Sequence, residues 1–433
     1  MSEKIILVWF RNDLRIHDNE ILSEAVRRAD KVLPVYIFDP FYFRTNAGGA
    51  LKTGSFRARF LLEAVTDLRE NLRKYDAQLI VRTGDPAEVL TQLAEEYNVS
   101  EVYHHREVAP DETDVSERVE GALWKMQLNL KHFIGHTMYH KEDLPFPIKD
   151  IPDSFVTFKK KVERDSTVRP CVVSPGQIPT PEITDAGAIP TLEDLGVPNP
   201  VDDARAGEKV TGGETAALKQ LHNYLENCMQ SSDGKNIRSA LCNSSGLGPW
   251  LAVGCISPRQ VYWEVVNYHR EHRLQNTDPI MLELLWRDYF RFMFKKHGQK
   301  FFRSEGFGDV PDVAANQDEL FEQWKNGQTG VPFIDAAMHQ LNATGYITNY
   351  SRQAVATYLT KDMQVDWTKG ARYFEEKLID YSPASNWGNW AFIAGVGNDT
   401  KSNRFFNAAK PVSQLDDKSD FITTWLPAAE SLS

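Results

Sequence analysis

Cysteine is scarce in this 433-residue chain: Cys171, Cys228, Cys242 and Cys255 stand apart, with no CxxC spacing. No zinc or iron–sulfur ligand set can be built from them, no disulfide framework is expected, and a reducing cytoplasm suits the composition. Apolar runs of membrane-spanning length are missing, and the opening MSEKIILVWF lacks the charged, apolar and small-residue zones of a signal peptide. The expected protein is cytoplasmic, with neither a membrane nor a metal as partner. Positive charge is short as well: 49 Lys and Arg face 60 Asp and Glu, for a formal net charge of -11. That excludes a protein that coats nucleic acid non-specifically and leaves room only for a local basic groove. Lys295, Lys296, His297, Lys300 and Arg303 form one such patch, which a solvated charged face explains equally well. No GxGxxG follows the first apolar run, so a nicotinamide dinucleotide fingerprint is absent too.

What is present begins with length enough for two domains and a large core. Aromatics are 11% of residues and include 10 Trp, a supply of indoles for packing, stacking or electron transfer. Residues 5–10 read as a strand that ends in the polar loop RNDLRIHDNEIL, with a helix capped near Asp18 or Asn19. Strands at 32–38, 78–81 and 101–104 alternate with helices at 55–75 and 86–97. This alternation predicts an α/β N-terminal domain, 1–135, on a parallel, Rossmann-like sheet. Proline is dense from Leu144 to Gly213 and blocks long helices and central strands, so 136–213 reads as a connector laid over the surface. Beyond it, apolar residues recur with helical period at 216–229, 258–271, 279–296, 318–326, 332–344, 350–363 and 370–379. The second domain, 214–433, is therefore expected to be all-α.

The stretch LIDYSPASNWGNWAFIAGVGN, 378–398, organises the helical half. It brings together Asp380, Asn386, Trp387 and Trp390 before a glycine-rich exit. Taken alone, it reads as a loop entering a buried helix, with the aromatics filling core. Upstream, NSSGLGPWLAVGCISPRQ, 243–260, sets hydroxyls and glycines before Pro249, a pattern whose N–H and O–H groups suit a phosphate. A serine–glycine turn before a helix explains it as well. LELLWRDYFRFMF, 282–294, puts Glu283, Trp286, Arg287 and Phe290 on one side of a helix, as a salt-bridged helix packed on core also would. GQTGVPFIDAAMHQL and TNYSRQAVATYLTKDM follow in order.

Together with VWFRNDLRIHDN near the start, these motifs resemble those of the DNA photolyase/cryptochrome family, most closely DASH cryptochromes, from Val8 to about Phe406. The resemblance implies an antenna domain followed by an FAD-binding domain. It implies that Ser244, Ser245, Gly246, Leu247 and Gly248 hold the FAD pyrophosphate. Asp380, Tyr381 and Ser382 would meet the sugar–adenine side, and Arg352 would pair with Asp380 beside the flavin, with Arg287 and Asn349 as further contacts. Asn386 matches the residue facing flavin N5, where an amide accepts from an N–H without repelling a reduced ring. Trp390 matches the indole nearest the isoalloxazine, and Trp367 the next one outward. Glu283 and Asn349 would hydrogen-bond a damaged pyrimidine, walled by Trp286 and Phe392. Glu107 falls near the acid the family uses for a folate (MTHF) antenna; a surface glutamate after a strand is the other reading. Gln353 is typical of DASH members. The chain departs from the pattern at Gly246, where a basic residue is usual, and at Ser231 and Ser232, which replace a tyrosine. Phe392 stands where Trp or Tyr is usual. Ala314 stands where the resemblance expects the outer donor tryptophan, which leaves Trp324 or Tyr373 to substitute, or a slow photoreduction.

The implied activity is that of a deoxyribodipyrimidine photolyase: a monomeric lyase that splits cyclobutane pyrimidine dimers under blue light, preferably in single-stranded DNA. The alternative is a photoreceptor that signals through flavin redox change without repair. Such receptors often carry long C-terminal extensions, and the chain stops at Ser433, soon after the last motif. With Glu283, Trp286 and Asn349 kept, the balance favours repair.

Overall fold

Six consecutive apolar residues, IILVWF, form β1 (Ile5–Phe10), and all six are buried. Side chains of a strand alternate between faces. Ile6, Val8 and Phe10 accordingly enter one core, and Ile5, Leu7 and Trp9 the other. A strand buried on both faces belongs in the middle of a covered parallel sheet. The structure, a computed structural model, describes residues 3–45, 50–207, 209–228, 244–273, 279–309, 311–398 and 418–426. Ser231, Ser232, Cys242 and Asn243 lie outside these. The helices α1 (Glu20–Arg28), α2 (Ser55–Arg73), α3 (Pro86–Glu96) and α4 (Pro110–Lys125) connect β1 to β2 (Lys31–Phe38), β3 (Ile80–Thr83), β4 (Glu101–His105) and β5 (Asn129–Phe133). Strand order is β3-β2-β1-β4-β5, with every pair parallel. The α/β expectation is met. The third strand lies two residues later than its apolar run suggested, because its partners are Val35 to Phe38. Pro34 is tolerated inside β2 because pairing with β3 begins only at Val35. Helix α4 and strand β5 were not read from the pattern.

The connector does more than cross the surface. Its Ala186 carbonyl accepts from Val81 N–H at 2.8 Å, and Pro179 from Val32 N–H at 2.7 Å, so it covers the β3 edge of the sheet. It also holds a helix the proline count had hidden, α5 (Phe155–Asp165), which fits between Pro152 and Pro170.

The helical half runs through α6 (Glu214–Cys228), α7 (Gly248–Ala252), α8 (Pro258–His272), α9 (Pro279–His297), α10 (Gln317–Lys325) and α11 (Pro332–Thr344). It continues in α12 (Asn349–Thr357), α13 (Trp367–Lys377), α14 (Pro383–Ala394) and α15 (Lys418–Trp425). The stretch read as a loop around SNWGNW is α14 itself. Pro383 starts it, and Gly395 ends it at φ +83°, where a left-handed glycine is cheap. Small residues let it pack close: a Cβ on Gly388 would lie 2.3 Å from Phe290 of α9. The expected single helix over 350–363 instead changes to a π-turn at Tyr358–Asp362.

Buried polar groups join the halves. Asp18, in the β1–α1 loop, receives Arg259 Nε at 3.0 Å and Nη2 at 2.7 Å, and Ser257 Oγ as well. Asp288 of α9 accepts the backbone N–H groups of Met138 at 3.0 Å and Tyr139 at 2.9 Å. Cys171 and Cys255 are free thiols. Among the described residues no helix is long and apolar enough to cross a membrane, and no cluster of three metal-ligating side chains occurs.

Candidate functional site

Helices α12, α13 and α14 line a partly open cavity of about 80 Å³, bounded by Asn349, Arg352, Asp380, Tyr381, Ser382, Asn386 and Trp390, among others. Arg352 Nη2 meets Asp380 Oδ2 at 2.9 Å, and Arg352 Nε donates to the Ile347 carbonyl at 2.9 Å. Burial lowers the affinity of the guanidinium for its proton, but the Asp380 charge more than compensates, and its pKa is raised. Asp380 Oδ1 is buried without a partner, an acceptor that awaits an O–H or N–H donor. Asn386 donates its Nδ2 to the Ala371 carbonyl at 2.9 Å. That bond orients the amide and leaves its oxygen as the group available to a ligand N–H. Trp390, one helical turn further, is 2% exposed.

The serine–glycine turn lies outside the cavity lining and approaches it through Asp380. Gly246 takes φ +66°, and Ser245 Oγ receives Leu247 N–H at 3.2 Å. Gly248 lies so close to Asp380 that an added Cβ would stand 2.6 Å from Oδ2. Ser245 Oγ also donates to Glu283 Oε2 at 2.9 Å, which ties this turn to α9. Tyr346, which sequence reasoning passed over, sits under Arg352 with 5.5 Å between guanidinium and ring centroid. Burial raises its hydroxyl pKa. No composition signal marks it; only its place two residues before the Thr348 cap of α12 does. Phe374, Ser385, Asn389 and Ile393 also line the cavity unanticipated.

Arg287 lies elsewhere. Its Nη2 donates to the Leu251 carbonyl at 3.0 Å and its Nη1 to that of His136. Burial drives its pKa down to about 9. One residue earlier, Trp286 meets Phe392 at 6.0 Å and 65° and stacks on Phe155 of the connector at 3.5 Å and 9°. The two expected wall residues are thus neighbours, with Glu283 on the same helix. Of the two expected electron carriers, Trp390 meets Trp324 at 6.2 Å, while Trp367 pairs with Trp387 at 5.8 Å. Glu107 is no surface glutamate. Its side chain is 0% exposed, with Arg291 Nη2 at 2.7 Å, Asn12 Nδ2 at 2.9 Å and His136 Nε2 at 3.3 Å. Between the halves opens a cleft of about 520 Å³ lined by Phe41, Tyr42, Glu112, Phe302 and Trp387, with Glu107 outside its lining.

Known proteins agree with this architecture. Residues 6–182 match the family model described as DNA photolyase, and 280–433 match the FAD binding domain of DNA photolyase. The chain is 42% identical to a cryptochrome DASH of Gloeobacter violaceus over 100% of its length and 87% of the relative's. It is 41% identical to that of Xenopus laevis, covering 100% of this chain and 84% of the other. The crystal structure of a Synechocystis cryptochrome superposes with a TM-score of 0.91 at 39% identity, over 99% of this chain and 90% of that one. An archaeal photolyase from Sulfolobus tokodaii, described with two FAD molecules, gives 0.80 at 27% identity over 99% and 91%. The orphaned Asp380 oxygen, the oriented Asn386 amide and the close Gly248 are what a bound FAD would need, and FAD is the cofactor of the matched domain. On this evidence of fold, cavity and kinship, the chain belongs to the DNA photolyase/cryptochrome family, among the DASH cryptochromes.

Proposed function

We propose that this flavoprotein repairs cyclobutane pyrimidine dimers in single-stranded DNA under blue light. The observation that carries the reading is the meeting of Trp286 and Phe392 at 6.0 Å, with Glu283 on the same helix and the Asn386–Trp390 face one helix away. Reduced FAD, when bound, supplies the electron that opens the dimer under light and receives it back. The protein does the rest. Asn386 offers a neutral acceptor, so no fixed negative charge opposes a reduced ring. Arg352 and Asp380 hold the sugar–adenine end, and Ser244 to Gly248 the pyrophosphate. Trp286 and Phe392 wall an extruded dimer, while Ser245 orients the Glu283 carboxyl to bond its pyrimidine edge, with Asn349 opposite. Extrusion is cheapest from an unpaired strand, and a net charge of -11 weakens the grip on duplex DNA. The protein acts as a monomer, divided as 1–135, 136–213 and 214–433.

A folate antenna in the cleft between the halves completes the proposal. Glu112, whose carboxyl burial pushes up to about 7, lines that cleft together with Lys52, Arg57 and Arg372, while Glu107 lies buried behind that lining. The deciding experiment gives reduced protein a single-stranded oligonucleotide carrying a thymine dimer, in blue light and in darkness. Light-dependent loss of the dimer is expected. Full flavin occupancy with no loss in either condition would leave the photoreceptor reading in its place.

A further inference from the structure

Trp390 is sealed from solvent, so an electron it gives up must be replaced through a neighbouring ring. Two aromatic continuations exist. From Trp367 the path reaches Trp387, which leads on to Phe302 at 4.9 Å and, through its Nε1–H, to the Tyr381 hydroxyl at 3.2 Å. Its expected outer end is Ala314, which has no ring. The other starts at Trp390 itself. Trp324 lies 6.2 Å away at 75°, and Tyr373 lies 5.7 Å beyond at 67°. Trp324 is 0% exposed, and its Nε1–H is held on the Val355 carbonyl at 2.9 Å. It has no route for losing its proton and no contact with a reductant. Tyr373 is half-buried, and its hydroxyl bonds Asn342 Oδ1. Phe321 and Phe374 also touch Trp324, but a phenyl ring is far harder to oxidise than an indole or a phenol.

We propose that Tyr373, acting through Trp324, is the outer electron donor to Trp390. This rests on the reading of Trp390 as the flavin's neighbour and extends it. An electron from Trp324 fills the vacancy on Trp390, and one from Tyr373 then fills that on Trp324. The phenolic proton, which the hydroxyl directs at Asn342 Oδ1 and at the Lys325 carbonyl 3.3 Å away, passes from them to solvent at the half-exposed edge, so a neutral tyrosyl radical remains. An external thiol gives that radical a hydrogen atom and becomes a thiyl.

The test is flash excitation of the FAD-loaded protein, with radicals followed by transient absorption and electron spin resonance. Flavin content is measured first for every variant. The wild-type chain is expected to leave a long-lived tyrosyl signal. Tyr373→Phe keeps the ring packing and should lose that signal, with the tryptophan signal decaying quickly instead. Trp324→Phe should lose both. A tyrosyl signal that survives in either flavin-loaded variant overturns the route, as does its loss in Trp367→Phe alone. A wild-type chain that takes up no flavin overturns the reading of the cavity, and this inference with it.

Discussion

Gly370 and Gly121 both lie inside helices, α13 and α4, yet alanine should act on them in opposite directions. On helix propensity alone, Gly→Ala gains about 1 kcal/mol at either site. A Cβ on Gly121 meets nothing within 4 Å, so Gly121→Ala should keep most of that gain. A Cβ on Gly370 would stand 2.3 Å from Trp390 Cη2, 2.6 Å from Cζ3 and 2.7 Å from Leu359 Cδ2. Overpacking costs roughly 1–3 kcal/mol, and two such contacts on a rigid, buried indole with a third on Leu359 put this case at the upper end. The net expectation for Gly370→Ala is a loss of about 2 kcal/mol, with Trp390 pushed toward the cavity. Release of flavin fluorescence on heating reads the helical half; loss of circular dichroism reads the whole chain. Gly370→Ala should release flavin at a lower temperature and slow its photoreduction, while Gly121→Ala should unfold later. If Gly370→Ala proved as stabilising as Gly121→Ala, the packing of α13 on α14 described above would be wrong.

Other changes bear on the site directly. Arg352→Met leaves Asp380 with both oxygens unpaired; with Arg352 partly exposed, about 2–3 kcal/mol of flavin binding should go, some 30- to 150-fold in a fluorescence titration. Trp286→Ala removes a stacking wall worth about 1–3 kcal/mol, and should raise KM for a dimer-bearing oligonucleotide while leaving flavin affinity unchanged. Burial pushes Asp288 up to about 7 against the pull of its two backbone N–H donors. A carboxyl raised above its unfolded pKa of about 3.9 adds stability at low pH and loses it as pH climbs to about 7. Denaturation of wild type and Asp288→Asn at pH 5 and 7 should show a smaller fall in the variant, where Glu112 remains raised; equal slopes would refute it. Ser245→Ala removes the 2.9 Å bond to Glu283 and the Leu247 N–H acceptor of the turn, and should weaken both dimer and flavin binding, read by titration of each.

Much of this was legible in residue order, for identifiable reasons. Alternation of apolar runs and helical stripes sufficed for the parallel sheet and the helical half, because burial on two faces and on one stripe leave different periods. Asp380, Arg352, Asn386 and Trp390 were found through their resemblance to a family, and the fold gathers them around one cavity. The helix α14 was misread because Ser, Pro, Asn and Gly favour turns locally. Close packing of Gly388 on Phe290 offsets that preference and is invisible in the local sequence. Tyr346 beneath Arg352, the Phe155 stack on Trp286 and the burial of Glu107 join segments far apart in the chain.

Residue order alone determined the two kinds of layer, since propensity and periodicity are local properties, while the candidate flavin contacts came from ordered motifs that resemble a family's. Which indole stands next to Trp390, whether Arg287 reaches the cavity, and what covers each aromatic face were decided only when α9, α13, α14 and the connector packed together. Contacts of that kind depend on the distances between helices, and no stretch of sequence carries them by itself.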